Sequence, residues 1–369
     1  MRKSLFKWHS YLALVSMLPV LIISITGSIL VFKVEIDSLL RPHHMVVSTH
    51  ENAHRQSLDT LMGNITEEYS DYVLAGWELF GVNVHEHSHS MTQRSDTAYA
   101  IKKHTDTWYK IYIDQYSGEV LSEPKHMEHY ITDWLLELHY AFLLHFSGTV
   151  IGAVIGLILL FLGISGVILY RGFWRKLFTL RMAAATRILY SDVHKMVGII
   201  CSPILIVIAF TGVYWNVSII LHEVLEHGFE EEHPVITEAY HSPHISFDDL
   251  SQQTAAVINS FTPTYLAIPN EPGMDITFFG SVNTNNFLIS QYASSITYSH
   301  TTGDLMASSD IREMGFLRKF DDSTRKLHFG YFAGMWSKVL WCIVGLAPLI
   351  LSITGVVMYL LRRNPKRRS

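Results

Sequence analysis

Four stretches, Leu12 to Phe32, Val150 to Tyr170, Met196 to Val217 and Val339 to Leu361, stay apolar and carry no Asp, Glu, Lys or Arg. Each has about the ~20 residues that an α-helix needs to cross a hydrocarbon layer. The pattern therefore predicts four transmembrane helices, separated by two long polar segments, roughly 41–135 and 222–325, and one short loop. The first stretch is too long for a signal-peptide core and lacks an Ala-x-Ala cleavage site, so it reads as a retained anchor. Inside the polar segments, "SLDTLMGNITEEY" and "SFDDLSQQTAAVINSF" have helical spacing, with Ser57 and Ser246 as N-caps. "YIDQYSGEVL" and "YSHTTGDLM" each read as strand, glycine turn and strand.

These elements repeat. His9 is followed 18 residues later by Gly27 in "ITG", and His194 by Gly212 in "FTG" at the same distance. His139 precedes Gly166 of "GISG" by 27 residues, as His328 precedes Gly355 of "SITG". Gly118 and Gly303 of the two turns lie 185 residues apart, which is also the step from His9 to His194. The chain is thus expected to be a membrane α-helical protein of two parallel repeats, each a helix, an outward α+β module and a second helix.

Charge sets the expected orientation. Arg2, Lys3 and Lys7 precede the first helix; Arg171, Arg175, Lys176, Arg181 and Arg187 lie between the second and third; Arg362, Arg363, Lys366, Arg367 and Arg368 follow the fourth. The positive-inside rule then puts both termini and the middle loop in the cytoplasm and the two long segments outside. With topology accounting for the basic clusters and a net charge of only −5, nothing points to nucleic acid. The two cysteines, Cys201 and Cys342, fall inside membrane helices, so neither outward segment can hold a disulfide; there is no Cys-x-x-Cys-His attachment motif.

The symmetry gives the histidines a role. His9 and His194 begin helices on the cytoplasmic side and can face each other there, as His139 and His328 can on the outer side. The latter pair would stand outside the hydrocarbon on straight helices, but Ser147-Gly148 and Gly330 to Gly334 offer breaks that let the preceding turns fold back. Paired imidazoles on different helices can hold b-type haem, and two axial histidines favour outer-sphere electron transfer because no open position remains. The competing reading is interfacial: a histidine near a membrane end places its polar tip among headgroups. His145 and His222 are alternative outer ligands without repeat counterparts, facing Gly334 and Asp37 in the other half. His85, His87 and His89 of "HEHSHS" would share one face of a strand, as a weak transition-metal site or as an ordinary exposed strand. Trp336, Trp341, Trp215 and Trp174 are expected in an interfacial belt.

"LHYAFLLHFSGTVIGAVIGLILLFLGISGVILY" and "LHFGYFAGMWSKVLWCIVGLAPLILSITGVVMY", together with "YIDQYSGEV", resemble the PepSY-associated transmembrane helix family, over nearly the whole chain. That resemblance implies an inner-membrane oxidoreductase of the ferric-siderophore reductase type. It would carry haem b, expected twice, on His9/His194 and on His139/His328, with its outward domains in the periplasm. The implied partners are a ferric siderophore, a quinol or cytoplasmic reductase as donor, and the bilayer. A haem-free PepSY protein that binds or regulates periplasmic partners is the alternative. The corresponding organisation is an N-terminus and first helix over 1–40, a PepSY-like module over 41–135, and a second helix over 136–171. A loop follows over 172–193, a third helix over 194–221, a second PepSY-like module over 222–325, a fourth helix over 326–361 and a basic tail over 362–369.

Overall fold

The computed structural model describes residues 2–47, 54–80, 93–170, 180–182, 185–226 and 235–363. In chain order its helices are α1 (Arg2–Val15), α2 (Met17–Leu30), α3 (Lys33–Leu40), α4 (Pro42–Met45), α5 (Leu58–Glu68), α6 (Ile131–Ala141), α7 (His145–Leu169), α8 (Thr186–Glu226), α9 (Phe247–Val257), α10 (Phe316–Phe329), α11 (Gly334–Gly345) and α12 (Ala347–Arg363). The strands are β1 (Val46–Val47), β2 (Tyr72–Glu78), β3 (Gln93–Arg94), β4 (Asp96–Lys102), β5 (Trp108–Ile113), β6 (Lys125–His126), β7 (Thr262–Ala267), β8 (Ile276–Ser281), β9 (Ser294–Tyr298) and β10 (Leu305–Ser309). They divide into a helical unit, Met1–Lys33, Ile131–Phe229 and Leu327–Ser369, and a sheet unit, Val34–Tyr130 and Glu230–Lys326.

In the helical unit, His145–Leu169, Thr186–Leu225 and Gly334–Arg363 are long and apolar enough to cross a membrane. The stretch expected as one span from Leu12 to Phe32 is instead a pair, α1 and α2, bent by 68° at Ser16. Pro19 has no N–H to offer the Val15 carbonyl, and its ring crowds that carbonyl, so the helix cannot continue straight. The Ser16 hydroxyl donates back to the Leu12 carbonyl at 2.7 Å, at the end of the first half. The pair makes a fourth crossing if it counts as one span.

The expected fold-back before α7 falls earlier than Ser147-Gly148. Phe142, Leu143 and His145 all have left-handed backbone, with φ of 52°, 61° and 50°. Gly148 lies inside α7, and its contribution is space: a Cβ there would sit 1.6 Å from the Ala141 carbonyl oxygen of the folded-back α6. The second half makes its break with Gly330 and Gly334, at φ of 74° and 62°. His145 therefore occupies the left-handed position that its counterpart Gly334 fills without strain.

In the sheet unit, eight antiparallel strands run in the order β10-β9-β8-β7-β2-β4-β5-β6. The two polar segments thus form one sheet, joined where Trp77 of β2 pairs with Leu266 of β7. The order is symmetric about that seam, with four strands from each half. Gly118 and Gly303, at φ of 78° and 77°, make the two turns expected from the sequence. One face of the sheet buries Trp77, Ile111, Leu266, Phe278 and Tyr298 against Leu61 and Ile65 of α5 and Leu250 of α9. Ser57 and Ser246 cap these two helices, accepting from the Thr60 and Asp249 amides at 3.1 Å each. The helices also cap one another. Asp248 accepts from the Leu58 and Asp59 amides at 2.8 and 3.0 Å, while Asp59 accepts from the Phe247 amide at 2.8 Å and the Ser246 hydroxyl at 2.6 Å.

Candidate functional site

A hydroxyl followed by glycine recurs in four helices of the helical unit, and each copy receives one histidine. His9 of α1 meets Ser165 of α7, with Nδ1 2.7 Å from Oγ. His194 of α8 meets Thr354 of α12 at 2.8 Å. His328 of α10 meets Thr211 of α8 at 3.0 Å. His139 of α6 meets Thr26 of α2 at 3.1 Å and the Ile23 carbonyl at 3.1 Å. The glycine next to each hydroxyl leaves room for the ring. A Cβ on Gly27 or Gly212 would lie 2.6 or 3.1 Å from Cε1 of His139 or His328, and one on Gly166 or Gly355 would lie 3.7 or 3.8 Å from Cε1 of His9 or His194.

These bonds determine which ring nitrogen carries the proton. Thr26, Thr211 and Thr354 each donate their hydroxyl hydrogen to the carbonyl four residues earlier, at 2.7, 2.8 and 2.7 Å, and Ser165 donates to Leu162 at 3.3 Å. With its one hydrogen used at 2.7–2.8 Å, each threonine oxygen accepts from its imidazole. For His139 the Ile23 carbonyl, which only accepts, demands the same arrangement. Nδ1 of His139, His194 and His328 therefore bears the proton and Nε2 keeps its lone pair, the state in which histidine ligates a metal.

The structure brings His139 and His328 together, ring centroids 6.4 Å apart and planes at 46°. His9 and His194 lie within electrostatic reach of each other. All four rings are half-buried, whereas His145 at the start of α7 and His222 near the end of α8 are exposed. His85, His87 and His89 lie outside the described residues, as does Trp174. Trp336 is exposed, as a belt residue would be. Trp341 is not: it is buried, and its indole N–H donates at 2.7 Å to the carbonyl of Leu327, next to His328. The first half pins the matching place differently, the Asn216 amide donating to the carbonyls of Tyr140, next to His139, and Thr149 at 3.1 and 3.2 Å. The Ser and Thr of "ITGS", "GISG", "FTG" and "SITG" read in sequence as room for close helix approach or a macrocycle; their bonds to the histidines appear only in the packing. The signal was the Ser or Thr before each repeat-matched glycine.

Membrane-length apolar helices, a second unit built on one antiparallel sheet, and histidines recessed between helices define a multi-pass membrane protein with an α+β unit. The chain belongs to the family described as the PepSY-associated TM region, whose model matches residues 6–362. It is also similar to an uncharacterized protein of Pseudomonas aeruginosa, 36% identical over 80 residues. That match covers 22% of this chain and 20% of the relative, so the chain spans about a fifth of that protein's length.

Proposed function

We propose that this protein is a di-haem electron-transfer protein of the bacterial inner membrane that reduces ferric iron, bound to a siderophore, on the periplasmic side. The observation that carries the reading is the fourfold recurrence of one device: a histidine whose Nδ1 is spent on a hydroxyl beside a glycine, leaving Nε2 to ligate. The donor set suits b-type haem. His139 and His328, on different helices with ring centroids 6.4 Å apart, would hold one such group between them. Haem held by two histidines supplies one-electron, outer-sphere transfer without an open coordination position.

In this reading His9 and His194 hold the group on the cytoplasmic side, and His139 and His328 the group on the outer side. The four hydroxyls fix ring orientation and raise the basicity of the ligating nitrogen. The basic residues Arg2, Lys3, Arg181, Arg187, Arg362 and Arg363 support cytoplasmic termini and a cytoplasmic middle loop, and with α1 and α2 counted as one crossing the sheet unit would lie in the periplasm. Electrons come from a quinol or a cytoplasmic reductase. Reduction of the substrate to Fe(II) weakens its binding by hard oxygen ligands and releases it.

The test is reconstitution of the full chain in vesicles with a reductant confined to the side of the termini and a ferric siderophore on the other, read by an Fe(II)-specific chelator. Fe(II) formation that requires both compartments supports the proposal. Pure, folded protein without a Soret band after expression with ample haem would favour the haem-free binding reading instead.

A further inference from the structure

The sheet face opposite the Trp77 core carries a second concentration of chemistry. Glu78, at the end of β2, pairs across the seam with Tyr265 of β7. The Tyr292 hydroxyl donates to Glu78 Oε1 at 2.9 Å and the Tyr99 hydroxyl to Oε2 at 3.4 Å. Tyr265 stands beside Tyr99, ring centroids 6.3 Å apart, and its hydroxyl lies only 2.4 Å from where a Cβ on Gly76 would be, an approach that glycine alone permits. All four residues are half-buried. Two phenol hydroxyls on one carboxylate, with a third phenol beside them, gather hard oxygen atoms in one place.

We propose that Glu78, Tyr99, Tyr265 and Tyr292 form a binding site for a trivalent hard cation, ferric iron, taken as cargo on the sheet unit. Carboxylate and phenolate oxygens suit a small, highly charged ion, and tyrosine is an established iron ligand. One carboxylate and two phenolates supply three negative charges to a 3+ ion, and the Arg325 guanidinium, 5.0 Å from the Tyr292 ring centroid, favours the phenolate form there. On binding, Fe–O bonds form to Glu78, Tyr99 and Tyr292, two phenolic O–H bonds break, and two protons leave to solvent with no change in oxidation state. The Tyr265 hydroxyl remains a neutral donor atom beside them. Before metal arrives the phenols hold their protons. Burial first, and Glu78 after it, raise Tyr99 and Tyr292 well above the ordinary phenol range and push Tyr265 up to about 12, an order that a bound cation inverts. As a place where ferric iron exchanges from siderophore oxygens onto protein oxygens before reduction, the site rests on the function proposed above.

Full-length protein in detergent is titrated with gallium(III) nitrilotriacetate, a redox-inert stand-in, and the tyrosinate ultraviolet difference signal is followed. Iron(III) nitrilotriacetate is then tested for a visible phenolate-to-iron charge-transfer band with phenolate resonance Raman modes. The expected result is saturation at one ion per chain, lost in E78Q and in the Y99F/Y292F double variant and unchanged in Y109F, which alters a tyrosine outside the cluster. Should the double variant fail to fold, Y292F alone is expected to halve the gallium signal. No tyrosinate signal in folded wild-type protein, or an undiminished one in Y292F, overturns the site. Because gallium binding needs no haem, haem-free protein that gives the signal keeps the site and sinks the reductase reading. Active reductase without the signal does the reverse.

Discussion

Alanine at the four repeat-matched glycines should have graded effects, set by the space beside each histidine. At Gly27 a Cβ would stand 2.6 Å from His139 Cε1, about 0.8 Å inside ordinary contact, and the ring cannot retreat while Nδ1 is tied to Thr26 and Ile23 of the same helix. Overpacking of this kind costs ~1–3 kcal/mol, against which alanine recovers up to ~1 kcal/mol of helix propensity. G27A should therefore either break the Nδ1 bond or push α6 away from α2, and in both cases displace His139. At Gly212 the distance is 3.1 Å, so G212A is expected to be milder. At Gly166 and Gly355, with 3.7 and 3.8 Å available, alanine should be neutral or stabilising by up to ~1 kcal/mol. The assay is haem content by pyridine haemochrome together with thermal unfolding of the detergent-solubilised chain. The expected order of damage is Gly27, then Gly212, then the other two without effect. Equal haem loss at all four positions, or a fully loaded G27A, would refute the reasoning that links these glycines to ring placement.

Other outcomes follow from the sheet unit. Because Asp59 and Asp248 cap each other's helix, D59A and D248A should each destabilise by ~1–2 kcal/mol, and the double variant by clearly less than the sum, which a double-mutant cycle measures. Asp96 is fully buried and accepts from Trp77 Nε1 at 2.6 Å, the Phe80 amide at 2.9 Å and Arg55. D96A strands those donors and the Arg55 charge, and should cost about 3–5 kcal/mol in denaturant unfolding. The Arg312 guanidinium holds the Asp310 carboxyl below its ordinary range. Since the folded value is the lower one, the stabilisation is present above the unfolded value and is lost as pH falls through the folded one. Melting curves of wild type and D310N should accordingly differ at neutral pH and draw together as pH falls from about 4 through the lower folded value.

Much of this architecture is legible from spacing. The apolar runs, the caps Ser57 and Ser246 and the turns at Gly118 and Gly303 depend on neighbours within a few residues, and local pattern is enough to find them. The symmetric strand order about β2 and β7 likewise mirrors the repeat, but the seam itself does not show in sequence. Trp77 and Leu266 meet through pairing of strands nearly two hundred residues apart, and nothing local distinguishes an edge that pairs with its twin from one that stays free. The α1–α2 bend is encoded by Pro19, whose effect on the Val15 carbonyl is local, inside a stretch whose hydrophobicity is continuous. The break at Phe142–His145 was hidden because three non-glycine residues adopt left-handed backbone there, against their own preference. The histidine positions came from the repeat. Their hydroxyl partners lie on other helices, so only packing reveals the bond.

Counting haem in single histidine variants tests the central claim most directly. Full-length wild-type protein should carry two b-type haems per chain by pyridine haemochrome and reduced-minus-oxidised spectra. H139A and H328A should each lose the same one, H9A and H194A the other, and H145A and H222A neither. Protein without haem, or variants at His139 and His328 that keep both haems at full occupancy, would contradict the account.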